Sequence, residues 1–362
     1  MENCPLQTAY INRVATAVPP HDVHDAFRRF GQSLLDGDRR NSRLFQRMAD
    51  RSGIEHRYSC LAPSELSGDD RINAKGFYPR GDFPDTAARM RQFEQHAPAL
   101  AQAAVERLQL GAECDRITHL LITSCTGFSA PGLDLELIER CGLPSTVERT
   151  AIGFMGCYAA INALKLARHI VRSEASARVL IVNLELCTLH LQDTTDLEQM
   201  LSFLLFGDGC AACIVSADPV GVALDRFHAV LVPSTRELIT WNIGEAGFDM
   251  VLSGGVPAAI HDGLREHGNE ILAGAPVASI NLWAVHPGGR TVLDAVERAL
   301  DLAPAALASS RDILRRYGNM SSATVMFVID NLLRSGARGR TGCAMSFGPG
   351  LIAETLLFRT AA

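Results

Sequence analysis

"CYAAINALKLARHIVRSEASARVLIVNLELC", residues 157–187, sets a helical pattern directly before a strand pattern. The first part, through Ser173, carries no charge before Lys165 and reads as a helix. The second, "ARVLIVNLELC" at 177–187, is apolar on both faces. A strand of that kind must be covered on both sides, which is the situation of a sheet flanked by helices. The same alternation extends outward. "THLLITSC" (118–125) and "GCAACIVSAD" (209–218) read as strands, and "LDLELIERCG" (133–142) as a helix stopped by Gly142. After Pro219 the theme returns. "VASINLWAVHP" (277–287), "GCAMSFGPG" (342–350) and "IAETLLFRT" (352–360) are strand patterns, while "RTVLDAVERALDL" (290–302) and "SSATVMFVIDNLLRSG" (321–336) are helical ones. This predicts an α/β protein of two related halves, residues 1–220 and 221–362. The first 110 residues read as helical and irregular, with "SELSGDDRINAKGFYPRGD" (64–82) as an exposed loop.

The chain has 362 residues, 47% hydrophobic and 20% charged, with a formal net charge of -6. That composition is globular, with enough length for a large core. It carries no basic footprint for nucleic acid. No apolar run is long enough to span a bilayer. The opening "MENCPLQTAYINRVATAVPP" lacks a basic start followed by an apolar block, so no signal peptide is expected and the expected location is cytoplasmic. The ten cysteines are expected to be free thiols there. Cys210 and Cys213 form a lone C-x-x-C inside a strand pattern and read as core, with zinc or redox chemistry the lesser reading. No metal site is expected.

Three residues at strand–helix junctions carry candidate chemistry. Cys157 would head a helix whose free N–H groups and dipole favour a thiolate, by at most ~2 kcal/mol, or about one and a half pKa units. A cationic partner would have to supply the rest. His286, in "LWAVHPGGR", ends an apolar strand before a glycine turn, a position for a thiolate partner and a donor to a substrate oxygen. Asn319, in "YGNMSSATVMFVID", would donate its amide to a developing oxyanion without changing charge. Taken singly, these are a packed core thiol, a turn-capping histidine and a helix cap. Their recurrence at junctions of the regular pattern favours a shared site.

The motifs "GFMGCYAA", "LFGDG", "AVHPGG", "YGNMSSA" and "SFGPG", with "APG" at 130–132, occur in the order found in type III polyketide synthases, the chalcone synthase superfamily. The chain resembles that family from about residue 10 to 358. The resemblance implies a thiolase-type fold, two α/β halves in a five-layered αβαβα body, acting as a homodimer. It implies Cys157, His286 and Asn319 as catalytic residues, Phe206 as a gatekeeping phenylalanine, and Ser321 in the pocket. It places coenzyme A phosphates on Arg47 and Arg51, with Leu44 where the family's first basic residue stands and Arg43 beside it. Met250 replaces the second phenylalanine gatekeeper. Cys125, Thr126, Cys187 and His190 occupy pocket positions, and Ser346 stands where the family usually has glycine. His190 reads as a pocket wall, with an acid/base group in cyclisation or simply a satisfied polar residue as the alternatives. These departures favour a bacterial-type enzyme.

The implied reaction is iterative decarboxylative condensation of malonyl-coenzyme A onto an acyl-coenzyme A starter held on Cys157, followed by cyclisation. No metal or redox cofactor is expected. The neighbouring readings are an initiating 3-oxoacyl carrier-protein synthase that condenses once, and a non-catalytic thiolase-like partner subunit.

Overall fold

The computed structural model describes residues 7–35, 37–63 and 76–361. Most of the polar stretch 64–82, residues 64–75, therefore lies outside the described residues. In chain order the elements are β1 (Tyr10–Ala17), β2 (His21–Asp22), α1 (His24–Leu34), α2 (Arg39–Arg51), β3 (Tyr58–Ser59), α3 (Thr86–Glu106), β4 (His119–Ser124), α4 (Leu133–Cys141), β5 (Glu148–Gly153), α5 (Ala159–Ser173), β6 (Val179–Leu186), α6 (Leu197–Leu205) and β7 (Asp208–Ser216). There follow β8 (Val222–Leu231), β9 (Ile239–Gly244), β10 (Gly247–Leu252), α7 (Val256–Ile271), β11 (Leu282–Val285), α8 (Arg290–Ala299), α9 (Ala308–Tyr317), α10 (Thr324–Arg334), β12 (Thr341–Gly348) and β13 (Ile352–Thr360).

Nine strands are joined in the order β11-β12-β13-β8-β1-β7-β6-β4-β5. Outward from β1, β7 and β6 pair antiparallel in turn, then β4 and β5 pair parallel. Outward from β8, β13 and β12 pair antiparallel, then β11 parallel. The two runs thus repeat one topology. In the sheet ladder they are joined where β1 pairs antiparallel with β8, Tyr10↔Ala223 and Ile11↔Val222 among the described residues.

Helices cover this framework in three layers, each with its own apolar core. Ala101 of α3 and Leu137 of α4 pack on Leu180 and Val182. Leu164 of α5 and Val325 of α10 share a central core with Ile181 and Cys213 from one run of strands and Ala344 and Leu356 from the other. Ile260 of α7 and Leu293 of α8 close the far side on Trp283 and Val285. Helix, strand, helix, strand, helix is the five-layered arrangement expected. In β6 the odd residues Val179 and Ile181 face the central core and the even residues Leu180 to Leu186 the outer one. That is the period of a strand with both sides buried.

Three readings need correction. The N-terminal segment is not merely helical and irregular, because β1 lies at the centre of the sheet. Its alternation is broken by a register shift between Ile11 and Arg13, which hides a strand from pattern reading. The segment 277–287 is not one strand: Val277–Ser279 is a 3₁₀ turn, and only Leu282–Val285 pairs in the sheet. The helix placed at 157–173 opens two residues late, at Ala159. Gly142 does stop α4, in the left-handed conformation with φ 64°. Cys210 and Cys213 are buried strand residues, as read.

Candidate active site

Cys157 occupies a single 3₁₀ turn, Gly156–Tyr158, between the end of β5 and the start of α5. The chain reaches that turn through two left-handed residues, Phe154 (φ 54°) and Gly156 (φ 69°). The Gly156 amide donates to the sulfur of Cys125 at 2.9 Å, and the Cys125 amide donates to Glu185 at 2.9 Å. Beneath the turn, Glu185 of β6 is fully buried and also accepts from Thr126 Oγ1 (2.9 Å) and Ser322 Oγ (2.5 Å). Burial pushes its carboxyl up to about 7 against those three donors. Sequence reasoning passed over Glu185. Its signal was a lone charge inside the apolar run "VLIVNLEL".

Asn319 does not cap α10, whose N-cap is Ala323. Its Oδ1 accepts the Ser321 amide at 2.8 Å, closing a tight turn over Met320, and its Nδ2 donates to the Gly288 carbonyl at 3.3 Å. Ser321 is left-handed (φ 45°), and its hydroxyl meets the Cys157 thiol at 3.9 Å. His286 directly follows β11, and its amide donates to Met345 O at 2.8 Å. Gly288 lies against the imidazole: a Cβ there would sit 3.8 Å from Nε2. Asn319 therefore links the two others, to Cys157 through Ser321 and to His286 through Gly288. Both ring nitrogens of His286 are buried without a hydrogen-bond partner among the described residues.

Burial raises the Cys157 thiol to about 12, with Ser321 and Asn319 pulling down and Glu185 pushing up. Burial lowers His286 to about 3. Both shifts favour the neutral form. Burial thus opposes the charged forms of both groups, so a thiolate at Cys157 has to be supported by its donors and by the start of α5 two residues further on.

A hollow of ≈ 500 Å³, counted with the solvent open to it, is lined by Cys157, Cys125, Thr126, Cys187, His190, Phe206, Met250 and Ser321, so eight of the sequence candidates share it, while His286 and Asn319 are not among its lining residues. Phe203, Ile239, Trp241 and Pro349 complete its wall and were not anticipated. Trp241 was the most legible of these, one of two tryptophans in the chain. It holds the β9–β10 hairpin to the floor by donating Nε1–H to Cys125 O at 2.7 Å. His190 contacts the Thr126 carbonyl through Nε2 (2.7 Å), which must therefore donate, and accepts the Phe248 amide at Nδ1 (3.0 Å). Its ring stacks on Phe248 at 4.2 Å. With both nitrogens committed and burial holding it near 3, His190 is a neutral wall residue. Arg47 and Arg51 sit apart from the cavity on the exposed face of α2. The other face of α2 packs Phe45 and Ala49 on Met200 and Leu204 of α6, the helix that leads into Phe206.

Among the described residues no cluster of three or more His, Cys, Asp or Glu is placed to hold a metal ion. No helix among them is long and apolar enough to cross a membrane.

Comparison with known proteins agrees with this geometry. Residues 8–219 match the N-terminal domain of chalcone and stilbene synthases, and residues 224–362 match their C-terminal domain. The alpha-pyrone synthesis polyketide synthase-like Pks18 of Mycobacterium tuberculosis is 31% identical over 98% of this chain and 92% of its own. Bisdemethoxycurcumin synthase of Oryza sativa subsp. japonica is 33% identical over 96% of this chain and 92% of its own. Among solved structures, PKS-I of the brown alga Ectocarpus siliculosus superposes with a TM-score of 0.88 at 28% identity, covering 99% of this chain and 100% of that one. The C-terminal type III polyketide synthase domain of Steely1 from Dictyostelium shares the fold, with a TM-score of 0.88 at 24% identity over 98% of this chain and all of that one. The chain belongs to the chalcone and stilbene synthase family and is a type III polyketide synthase, an acyltransferase of thiolase-type fold.

Proposed function

We propose that this synthase loads an acyl-coenzyme A starter onto Cys157 and extends it with malonyl-coenzyme A, Cys157 serving as nucleophile, His286 as base and acid, and Asn319 as oxyanion donor. The observation that carries this reading is the pair of ring nitrogens on His286, buried and unpartnered among the described residues, next to Gly288, whose carbonyl holds the same Asn319 carboxamide that accepts from Ser321, the neighbour of the Cys157 thiol. A buried donor and acceptor left unpaired cost about 1–3 kcal/mol each, and a substrate oxygen and the thiol proton would satisfy them.

The steps start from a thiol and a neutral imidazole, the forms that burial favours. As Cys157 Sγ attacks the thioester carbonyl, its proton passes to His286. The tetrahedral oxyanion is held chiefly by the imidazolium, with Asn319 Nδ2–H as the secondary donor. Coenzyme A leaves as thiolate and takes the proton. Malonyl-coenzyme A then loses carbon dioxide, and the electron pair becomes an enolate whose charge lies on the thioester oxygen. Asn319 Nδ2–H and the N–H of the now neutral His286 ring hold that oxygen, each donor worth ~3–4 kcal/mol in rate. The enolate carbon attacks the Cys157 thioester, expelling the sulfur, and the chain emerges two carbons longer on coenzyme A. Decarboxylation drives the carbon–carbon bond, so this chemistry calls for no metal or redox cofactor. The apolar cavity excludes water from the growing chain, which then cyclises.

Arg47 and Arg51, one helical turn apart on the exposed face of α2, suit the coenzyme A phosphates. A homodimer is supported by β5, an edge strand exposed along most of its length, with the 42% exposed Phe128 beside it stacked on Phe154 at 5.4 Å. The test is Cys157→Ala. Intact-mass analysis after incubation with acyl-coenzyme A starters is expected to show an acyl adduct on the wild type and none on the variant. An adduct on the variant removes Cys157 from its role.

A further inference from the structure

A buried cation stands between the gate and the carboxamide. Arg57 is fully buried, donating from Nη1 to the carbonyls of Phe206 (2.7 Å) and Phe203, and from Nε to His24 Nδ1 (3.1 Å). Phe203 and Phe206 both line the cavity. The Arg57 stem runs through a slot that Gly318 keeps open and Gly207 borders. A Cβ on Gly318 would meet Arg57 Cγ at 2.7 Å, and one on Gly207 would meet Arg57 Cβ at 3.4 Å. These are the glycines of the "FGDG" and "YGN" motifs, one beside Phe206 and the other beside Asn319. The two segments are also stitched together: Asn319 N donates to Leu205 O at 2.7 Å, and Gly207 N donates to Asn319 O at 2.9 Å.

An arginine here is not explained by stability. Burial lowers the guanidinium to about 9, with Asp22 and Asp208 opposing, so it stays charged at neutral pH, and its Nη2 has no partner among the described residues. A well-packed apolar residue of similar volume in such a place is often as stable or more so. What it lacks is a rigid fork able to hold two carbonyls at a fixed spacing.

We propose that Arg57 is a positioning residue, clamping the carbonyls of Phe203 and Phe206 and, through the Leu205–Gly207 pairing, setting the Asn319 carboxamide toward the enolate oxygen. This rests on the role given to Asn319 above. Displacing a catalytic group by about 1 Å can cost ~100-fold in rate. Starter loading depends chiefly on Cys157 and His286, whereas malonyl decarboxylation depends on the donor pair, so the two steps should separate.

The experiment compares wild type, Arg57→Met and Arg57→Lys. Acyl-enzyme formation is read by intact mass, carbon dioxide release from malonyl-coenzyme A is counted per loadable site, and fold is checked by circular dichroism. Arg57→Met is expected to lose about 10- to 100-fold in decarboxylation per site while loading changes less than about threefold, with Arg57→Lys between it and wild type. If Arg57→Met does not fold, Arg57→Lys decides by the same ratio. Equal loss in both steps, or no loss in a folded variant, overturns the positioning role while leaving the function intact. A wild type that neither loads starter nor decarboxylates malonyl-coenzyme A overturns the function, and the role of Arg57 with it.

Discussion

Gly156 and Pro349 touch so closely that a Cβ on Gly156 would lie 2.2 Å from Pro349 Cδ, in a backbone with φ 69°. The turn that presents the nucleophile is thereby seated on the "SFGPG" motif at the end of β12. Gly348 joins the contact, since a Cβ there would be 2.6 Å from the Tyr158 ring and 3.3 Å from the Cys157 amide. Gly156→Ala must both overpack and strain the turn. A loss of about 3 kcal/mol is expected in urea unfolding. Starter loading should fall further than stability alone explains. An unchanged midpoint with full loading would show that the turn is not held this way.

Asn319→Ala removes a donor while keeping the backbone pairing with Leu205 and Gly207. Malonyl decarboxylation is expected to fall about 10²–10³-fold, and starter loading much less. His286→Gln, which keeps a donor but cannot shuttle the thiol proton, should reduce both steps, loading by about 10²–10⁴-fold. Rapid-quench measurement of acyl-enzyme and of released carbon dioxide separates these patterns. Identical profiles for the two variants would contradict the division of labour.

For His190 the expectation concerns pH. Held near 3 by burial and with both nitrogens bonded, it does not titrate in the working range. His190→Phe should leave the pH–rate profile unshifted, alter the relative rates with starters of different size, and lower stability by about 1–3 kcal/mol through the Phe248 amide and Thr126 carbonyl it orphans. Disappearance of a limb of the profile would make His190 an acid/base group.

Glu185 gives a stability prediction with a definite sign. Its native carboxyl ionises at about 7, above the ordinary 4.5, because it is buried. Between those two values the unfolded chain releases the proton and the native state keeps it, so stability must fall as pH rises from about 4.5 to 7, then level off. The full loss is about 3 kcal/mol. Glu185→Gln removes this contribution. The gap between variant and wild type in urea midpoint should therefore move in the variant's favour from pH 5 to pH 8. A gap independent of pH would mean that Glu185 is already ionised, or already protonated, across the range.

Much of the site was legible before any coordinates. Cys157, His286, Asn319, Phe206 and Ser321 stand in short motifs whose glycines now have reasons: Gly156 makes room for Pro349, Gly288 lies against the His286 ring, Gly207 passes close to the Tyr317 carbonyl, and Gly318 admits the Arg57 stem. Phe203 and Ile239 escaped notice because an apolar residue that lines a cavity has the same sequence signature as one that fills a core. Arg57 and Glu185 escaped because burial, not identity, makes a charge exceptional.

By itself the sequence determined the alternation of covered strands and helices, and with it the α/β class, since periodicity and turn residues act over a few neighbours. Only the tertiary structure decided that β1 runs through the middle of the sheet, that Asn319 links to Cys157 through Ser321 and to His286 through Gly288, and that burial opposes charge on both the thiol and the imidazole. The physical reason is range. Strand pairing joins residues more than two hundred positions apart, as Tyr10 and Ala223 are. Protonation states follow from how much water the assembled layers exclude, a quantity that no local pattern contains.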